Sequence, residues 1–211
     1  LGEARDILRK LPSVDSAEPV IVVAGSPNVG KSALIGALSS GEPEVASYPF
    51  TTKQLHLGHF IHRRRPYQMV DTPGLLDRPM EERNLIEMQA IAALENVGDV
   101  LVFLIDASET GGTSLHEQLS LLREVRNLVT ERPIIIAHSK SDLLNEIPED
   151  AEYLLCAISG DGIEEFRNTL IETIGADVID DPLSLPEDWH VEEMALEPLG
   201  TKYEIEQRKE M

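Results

Sequence analysis

The chain has 211 residues, 42% of them apolar, which is enough to bury the core of one α/β domain with some length to spare. Its formal charge of −20 and isoelectric point near 4.6 argue against broad electrostatic attraction to nucleic acid, DNA included, and read as a solvated acidic surface. No apolar run approaches the ~20 residues of a membrane helix, nothing resembles a signal peptide, and the single cysteine, Cys156, excludes an internal disulfide. Together these point to the cytoplasm, with no membrane partner. Leu1 stands where a methionine is expected, which suggests a processed or truncated start.

Residues 1–18 read as the end of a helix and a linker, with Pro12 and Pro19 bracketing the break. Val20–Ala24 is an apolar run of strand type. It leads directly into Gly25-Ser26-Pro27-Asn28-Val29-Gly30-Lys31-Ser32, which fits the phosphate-binding loop pattern G-x-x-x-x-G-K-S without substitution. Ala33, Leu34, Ala37 and Leu38 then open an apolar-periodic helix. Strand, glycine-rich turn and helix in that order aim backbone N–H groups and a helix N-terminus at one point, which suits a polyphosphate. The spacing assigns Lys31 to the β- and γ-phosphates and the Ser32 hydroxyl to Mg²⁺.

Gly41–Thr52 is polar, contains prolines and has no clear period. Leu55–Ile61 and Tyr67–Asp71 read as a strand pair joined by Arg63-Arg64-Arg65, the only basic run in the chain. An exposed hairpin turn is the expected role of these arginines, with local contact to RNA as the rival. His56, His59 and His62 have metal-like spacing, but side chains three apart on a strand face opposite ways and cannot converge on one ion.

Asp71-Thr72-Pro73-Gly74 ends the next strand about forty residues after the loop. Asp71 is placed to hold Mg²⁺ through water, and the Gly74 N–H to meet a γ-phosphate. Leu85, Met88, Ile91 and Ala92 indicate a helix, and Val100–Asp106 a strand buried on both faces. Ser114-Leu115-His116-Glu117 has capping-box spacing and opens a further helix. Ile134–Ala137 is another buried strand, Tyr153–Ala157 a last short one, and Ile163–Ile174 a last helix. Six strands and five helices fit within residues 19–175; residues 176–211 read as an acidic tail. Asp106 ends a buried strand, where a cap or loop hydrogen bond is its ordinary role, and His138 borders the loop that follows the Ile134–Ala137 strand.

Ser139-Lys140-Ser141-Asp142 resembles the guanine-recognition motif N-K-x-D. The Asp142 carboxylate would accept two hydrogen bonds from guanine N1 and N2, a donor pair that adenine lacks. Lys140 would lay its stem over the base. Ser139 departs from the usual asparagine, and the shorter hydroxyl predicts a slack tie to the phosphate loop and weakened but still guanine-selective binding. Cys156-Ala157-Ile158 matches a weaker S-A-x pattern, in which a backbone N–H meets guanine O6.

In this order the motifs resemble those of translation-factor-class GTPases. Ala46-Ser47-Tyr48-Pro49-Phe50-Thr51-Thr52-Lys53 and Asp71–Pro79 are similar to the Obg-like family, and Arg83–Ile91 extends the likeness to its nucleolar GTP-binding branch. The resemblance covers roughly residues 19–175 and implies a Ras-like P-loop G domain: α/β, a six-stranded, mostly parallel sheet with one antiparallel strand and helices on both faces. It implies that residues Gly25 through Ala33 bind GTP or GDP, that Thr51 and Thr52 lie in a first switch with Thr52 closing on Mg²⁺ and γ-phosphate, and that Gly74 begins a second. Lys31, Thr52 and Gly74 are then the groups acting on the reacting phosphoryl. Leu75 falls where a water-orienting glutamine often stands, and Asn28 where some hydrophobic-substituted GTPases hold K⁺; an asparagine that only braces the loop is the alternative. The family is associated with large ribosomal subunit assembly, which implies ribosomal RNA or a preribosomal particle as partner, and a nucleolar location only in a eukaryote. A weakly hydrolysing assembly scaffold and an ATP-using P-loop enzyme are the rival functions, the latter disfavoured by Asp142.

Overall fold

A computed structural model describes residues 18–47, 54–71, 98–130, 132–149 and 151–175. The expected N-terminal helix end, the helix around Leu85–Ala92 and the acidic tail lie outside these residues, as do Thr51, Thr52, Thr72, Pro73, Gly74 and Leu75. Six strands form one sheet in the order β2-β3-β4-β1-β5-β6. They are β1 (Val20–Ala24), β2 (Glu44–Ser47), β3 (Gln54–His62), β4 (Arg65–Asp71), β5 (Val100–Ile105) and β6 (Ile134–His138). Only β3 runs against the others; β1 is parallel to both β4 and β5, and β5 to β6.

Every residue of β1 and of β5 is buried, so neither face of these strands meets water. Alternation splits their side chains between two cores. Val20, Val22, Ala24, Leu101, Phe103 and Ile105 pack on one face with Leu121, Leu122 and Val125 of α2 (Leu115–Leu128). Ile21, Val23, Val100, Val102 and Leu104 pack on the other with Leu34, Ile35 and Leu38 of α1 (Lys31–Leu38) and Phe166, Leu170 and Ile171 of α3 (Ile163–Ile174). The capping box of α2 forms as its spacing predicts, Ser114 and Glu117 each satisfying the other's backbone N–H. Among the described residues no helix is long and apolar enough to cross a membrane.

Two expectations need correction. The edge strand β2 lies in the segment read as aperiodic: its four residues pair with β3 through backbone bonds, which leave no hydrophobic period in the sequence. Conversely, Tyr153–Ala157 is not a full strand. It meets β6 through a single bridge, His138 with Leu154, because the backbone turns at Cys156 toward α3. The sheet therefore has six strands with a different sixth member.

Two contacts lock α1 against the sheet. Arg167 of α3 donates to the Leu38 carbonyl at 3.0 Å and stands 5.5 Å over the Phe60 ring, which is itself stacked on Tyr67. Gly58 of β3 passes directly beneath α1; a Cβ there would come within 2.4 Å of Ile35 Cγ2 and 2.3 Å of Ser39 Oγ. Gly58→Ala is therefore expected to destabilise the fold by about 1–3 kcal/mol through overpacking, read as a lowered denaturant midpoint at unchanged slope.

Candidate functional site

Parallel β1, β4, β5 and β6 end on the same edge of the sheet, and the chemically distinctive residues collect there. Register places Asp71 of β4 opposite Val23 of β1, one residue before the strand's end, so its carboxylate lies beside the glycine-rich loop. The loop leaves β1 at Gly25, whose φ of 137° suits glycine and whose added Cβ would stand 2.5 Å from the Leu104 carbonyl of β5. Asn28 and Gly30 also take positive φ, 60° and 100°, turning the loop into a concave run of amides. Val29 is buried in the α1–α3 core and pins the loop from below, whereas Pro27 and Asn28 are exposed.

Helix α1 starts at this loop without a side-chain cap and without an acidic residue in its first turn. Its leading N–H groups and positive dipole end thus face the concavity uncompensated by the helix's own residues. Lys31 is buried, and its Nζ donates to the carbonyls of Gly25 and Ser26, both at 2.9 Å, which holds the ammonium across the loop. Ser32 and Ala33 are exposed at the mouth. Ser32 Oγ donates to Asp71 Oδ2 at 2.6 Å. The other oxygen of Asp71, Oδ1, is buried without a hydrogen-bond partner, in a residue only 1% exposed. A buried carboxylate with one open oxygen beside a hydroxyl fits Mg²⁺, a hard cation that keeps several waters and takes oxygen donors. Ser32 and Asp71 are thus brought together as their spacing predicts.

The base-recognition segment follows β6. His138 ends that strand and donates its N–H to Tyr153 O, a backbone role at the border of the segment, as expected. Ser139 is buried, and its Oγ donates to Val29 O at 2.6 Å and stands 3.2 Å from Ile105 O. The expected slack tie is corrected here: the hydroxyl bridges the two loops itself. It can do so because the backbones approach closely, a Cβ at Gly30 falling only 3.9 Å from Ser139 Cβ. Asp142 lies in a 3-10 turn, Ser141–Leu143, and is exposed, so an adenine would be penalised only where the base itself covers this carboxylate. Cys156 Sγ donates to Asp142 Oδ1 at 3.2 Å, which fixes the carboxylate from the side of the last motif. The Cys156 N–H is given to Asp161 O, and the expected contact with guanine O6 falls to Ala157; Ile158 is exposed.

Asp106 proves to be the centre of a network that its position alone does not reveal. Fully buried, it accepts from Lys140 Nζ at 2.6 Å, Gly111 N at 3.0 Å, Thr110 Oγ1 at 3.2 Å, and both the backbone and hydroxyl of Ser108. Burial by itself would raise its pKa, but the hydrogen bonds from Lys140 and Ser108, the Lys140 charge and the Gly111 N–H outweigh it and hold the carboxyl below its ordinary 3.8. Gln118 of α2 clamps the same residue's backbone, accepting from Asp106 N and donating to Asp106 O. The run Asp106-Ala107-Ser108-Glu109-Thr110-Gly111, short polar residues after a buried strand, is the signal that marks such a turn. Asn28 Nδ2 reaches Gly111 O at 3.4 Å, so the bracing role weighed for Asn28 is present. His56, His59 and His62 do not converge, and among the described residues no group of three His, Cys, Asp or Glu is arranged to hold a metal.

A glycine-rich loop opening α1, a buried carboxylate beside it on β4 and an S-K-x-D segment after β6, on a sheet of this order, match the layout of a P-loop GTPase domain. The sequence profile of the 50S ribosome-binding GTPase family matches residues 20–140, and the chain belongs to that family. Nucleolar GTP-binding protein 1 of Drosophila melanogaster is 40% identical over 163 residues, covering 76% of this chain and 25% of that protein. An uncharacterised protein of Methanocaldococcus jannaschii is 48% identical over 143 residues, 68% of this chain and 39% of its own length. The solved structure of a protein designated nucleolar GTP-binding protein 1 in Plasmodium falciparum superposes with a TM-score of 0.69 at 34% identity, covering 79% of this chain and 91% of that one. The chain is thus a GTP-binding protein of the nucleolar GTP-binding branch, and it spans a quarter to two fifths of the length of these curated relatives.

Removing the loop-to-loop tie in Ser139→Ala is expected to cost about 1 kcal/mol of nucleotide affinity, roughly fivefold in the GDP dissociation constant by calorimetry. Asp106 contributes stability above its unfolded value near 3.8, and that stability is lost as pH falls through its lowered native value. Asp106→Asn should therefore cost about 1.5–3 kcal/mol near neutral pH and flatten the acid limb of the denaturant midpoint against pH.

Proposed function

We propose that this chain is the nucleotide-hydrolysing part of a molecular switch, converting GTP to GDP and phosphate in assembly of the large ribosomal subunit. The observation that carries this reading is the 2.6 Å bond from Ser139 Oγ to Val29 O, which joins the triphosphate cradle to the base segment as one pocket. The names of the family and of its nucleolar relatives support the ribosomal part of the proposal.

In this reading Ser32 and Asp71 hold Mg²⁺, joined by Thr52 when the triphosphate is present. The ion's chemistry there is to neutralise charge on the β- and γ-phosphoryl oxygens. Lys31 reaches the same oxygens from the other side, and the loop amides with the Gly74 N–H take the charge that develops on the transferring phosphoryl. Water attacks in line with the leaving oxygen. Leu75 offers no hydrogen bond to orient that water, so unaided turnover is slow, on the order of 10⁻³ s⁻¹ or below, and an activator is needed. Asn28 is the residue that would hold K⁺: with its amide nitrogen on Gly111, the side-chain oxygen is left for a cation. Gly41–Thr52 and Gly74–Arg83 are the two switch segments of this reading, and their response to GTP and its hydrolysis is the output. The site acts in the cytoplasm, or in the nucleolus of a eukaryote. A scaffold that binds nucleotide with little hydrolysis is the second reading, favoured by Leu75.

Calorimetry with GTP, GDP and ATP in Mg²⁺ tests the pocket. ATP is expected to bind at least ~100-fold more weakly than GTP, and Asp142→Asn to abolish the difference. Equal affinities for the two in the unaltered chain would sink the guanine reading. Single-turnover hydrolysis in K⁺ and in Na⁺, with and without preribosomal particles, separates switch from scaffold; equal rates in both salts would remove the potassium role.

A further inference from the structure

The charge of this chain is segregated. Thirty-eight acidic residues are spread along 211 positions, yet from Val45 to Val70 there is no aspartate or glutamate at all. The same stretch carries Lys53, Arg63, Arg64 and Arg65 and three of the six histidines. Strands β3 and β4 fold most of it into one hairpin, which places Arg63, Arg64 and Arg65 at its tip.

The tip itself is strained. His62 pairs with Arg65, leaving Arg63 and Arg64 as a two-residue turn with φ of 46° and 65°. Positive φ at both central positions is the type I′ turn, which Asn-Gly fills at low cost and which a bulky side chain enters only against steric repulsion. Two consecutive arginines at such positions are the kind of backbone outlier that clusters at functional sites. Both side chains are exposed, Ile61 beside them is 63% exposed, and His59 is exposed as well. The tip is also remote from the nucleotide. β4 runs from Arg65 to Asp71, so about 20 Å of strand separates the arginines from the Mg²⁺ carboxylate.

We propose that the tip of the β3–β4 hairpin is a docking surface for the phosphate backbone of RNA, with Arg63 and Arg64 each contacting a phosphate. This rests on the ribosomal reading given above and names the face that meets the RNA. The stretch from Val45 to Val70 lacks acidic residues and places three arginines at the turn, so the tip offers positive charge in a chain of net charge −20. The turn geometry splays two guanidinium groups from adjacent residues, and each can fork onto phosphate oxygens. Contacts of this kind position an RNA without reading its bases.

The test uses the full chain, a fluorescein-labelled RNA duplex and a KCl series. Arg63→Asn/Arg64→Gly removes both charges and installs the residues the turn prefers. It is expected to keep or raise the melting temperature, leave GDP affinity unchanged, and weaken RNA binding. The slope of log K against log [KCl] should fall in magnitude by about two. Arg63→Lys/Arg64→Lys, which keeps the charges, should keep the slope. Unchanged RNA affinity and slope in the Asn-Gly variant overturn the proposal. So does a chain that binds GDP but ignores RNA, a result that leaves the nucleotide reading standing. So does arginine-dependent binding to phosphatidylserine vesicles with none to RNA. A chain that binds RNA through the tip but no guanine nucleotide supports the docking surface and sinks the GTPase reading instead.

Discussion

Burial of β1 and β5 on both faces is the constraint from which the rest of this structure follows. Parallel strands covered by helices on either side must return by crossovers, so their carboxyl ends, and the loops that leave them, fall on one edge. The glycine-rich loop, the Asp106 turn and the Ser139 segment are neighbours for that reason alone. Ser139 and Val29 lie 110 positions apart in the chain, yet a short hydroxyl spans the gap between them. The close approach of Gly25 to the Leu104 carbonyl shows how tightly that edge is drawn together.

Charge is the second theme. The site gathers three carboxylates, Asp71, Asp106 and Asp142, in a chain already strongly acidic, and it is meant for a polyanion. Each carboxylate is managed differently. Asp106 is neutralised inside the protein by Lys140 and a ring of hydroxyl and amide donors, so it acts on the site through the lysine it holds. Asp142 is kept at the surface, with one oxygen steadied by Cys156, and stays open to a base. Asp71 keeps a buried oxygen unpartnered, a cost of burial that a bound cation would offset. The division explains how a pocket lined by acids can accept phosphates.

The basic hairpin reverses the polarity of the rest of the chain at a distance from this edge. Because β3 and β4 are antiparallel, the turn between them projects from the end of the sheet opposite the nucleotide. Two functions, one binding a nucleotide and one facing a polyanionic surface, can thus sit on the same strand without sharing a residue.

Residue order alone was enough to read the parts whose chemistry is local. The phosphate loop has to be Gly-x-x-x-x-Gly-Lys-Ser because its backbone turns and its lysine act within eight residues; the capping box of α2 and the extents of β1 and α3 are local in the same way. The remaining features depend on how closely backbones approach and on strand pairing. The edge strand β2 carries no hydrophobic period because it is joined by main-chain bonds, and Tyr153–Ala157 loses its ladder where the chain turns at Cys156. The short Ser139 hydroxyl reaches its partner because the two loops approach each other, and Asp106 is a network centre because Lys140, Gly111 and Gln118 converge on it from other segments. Residue type and spacing report what a segment can do alone; distances between segments are set by how the two cores pack, and no stretch of sequence contains them.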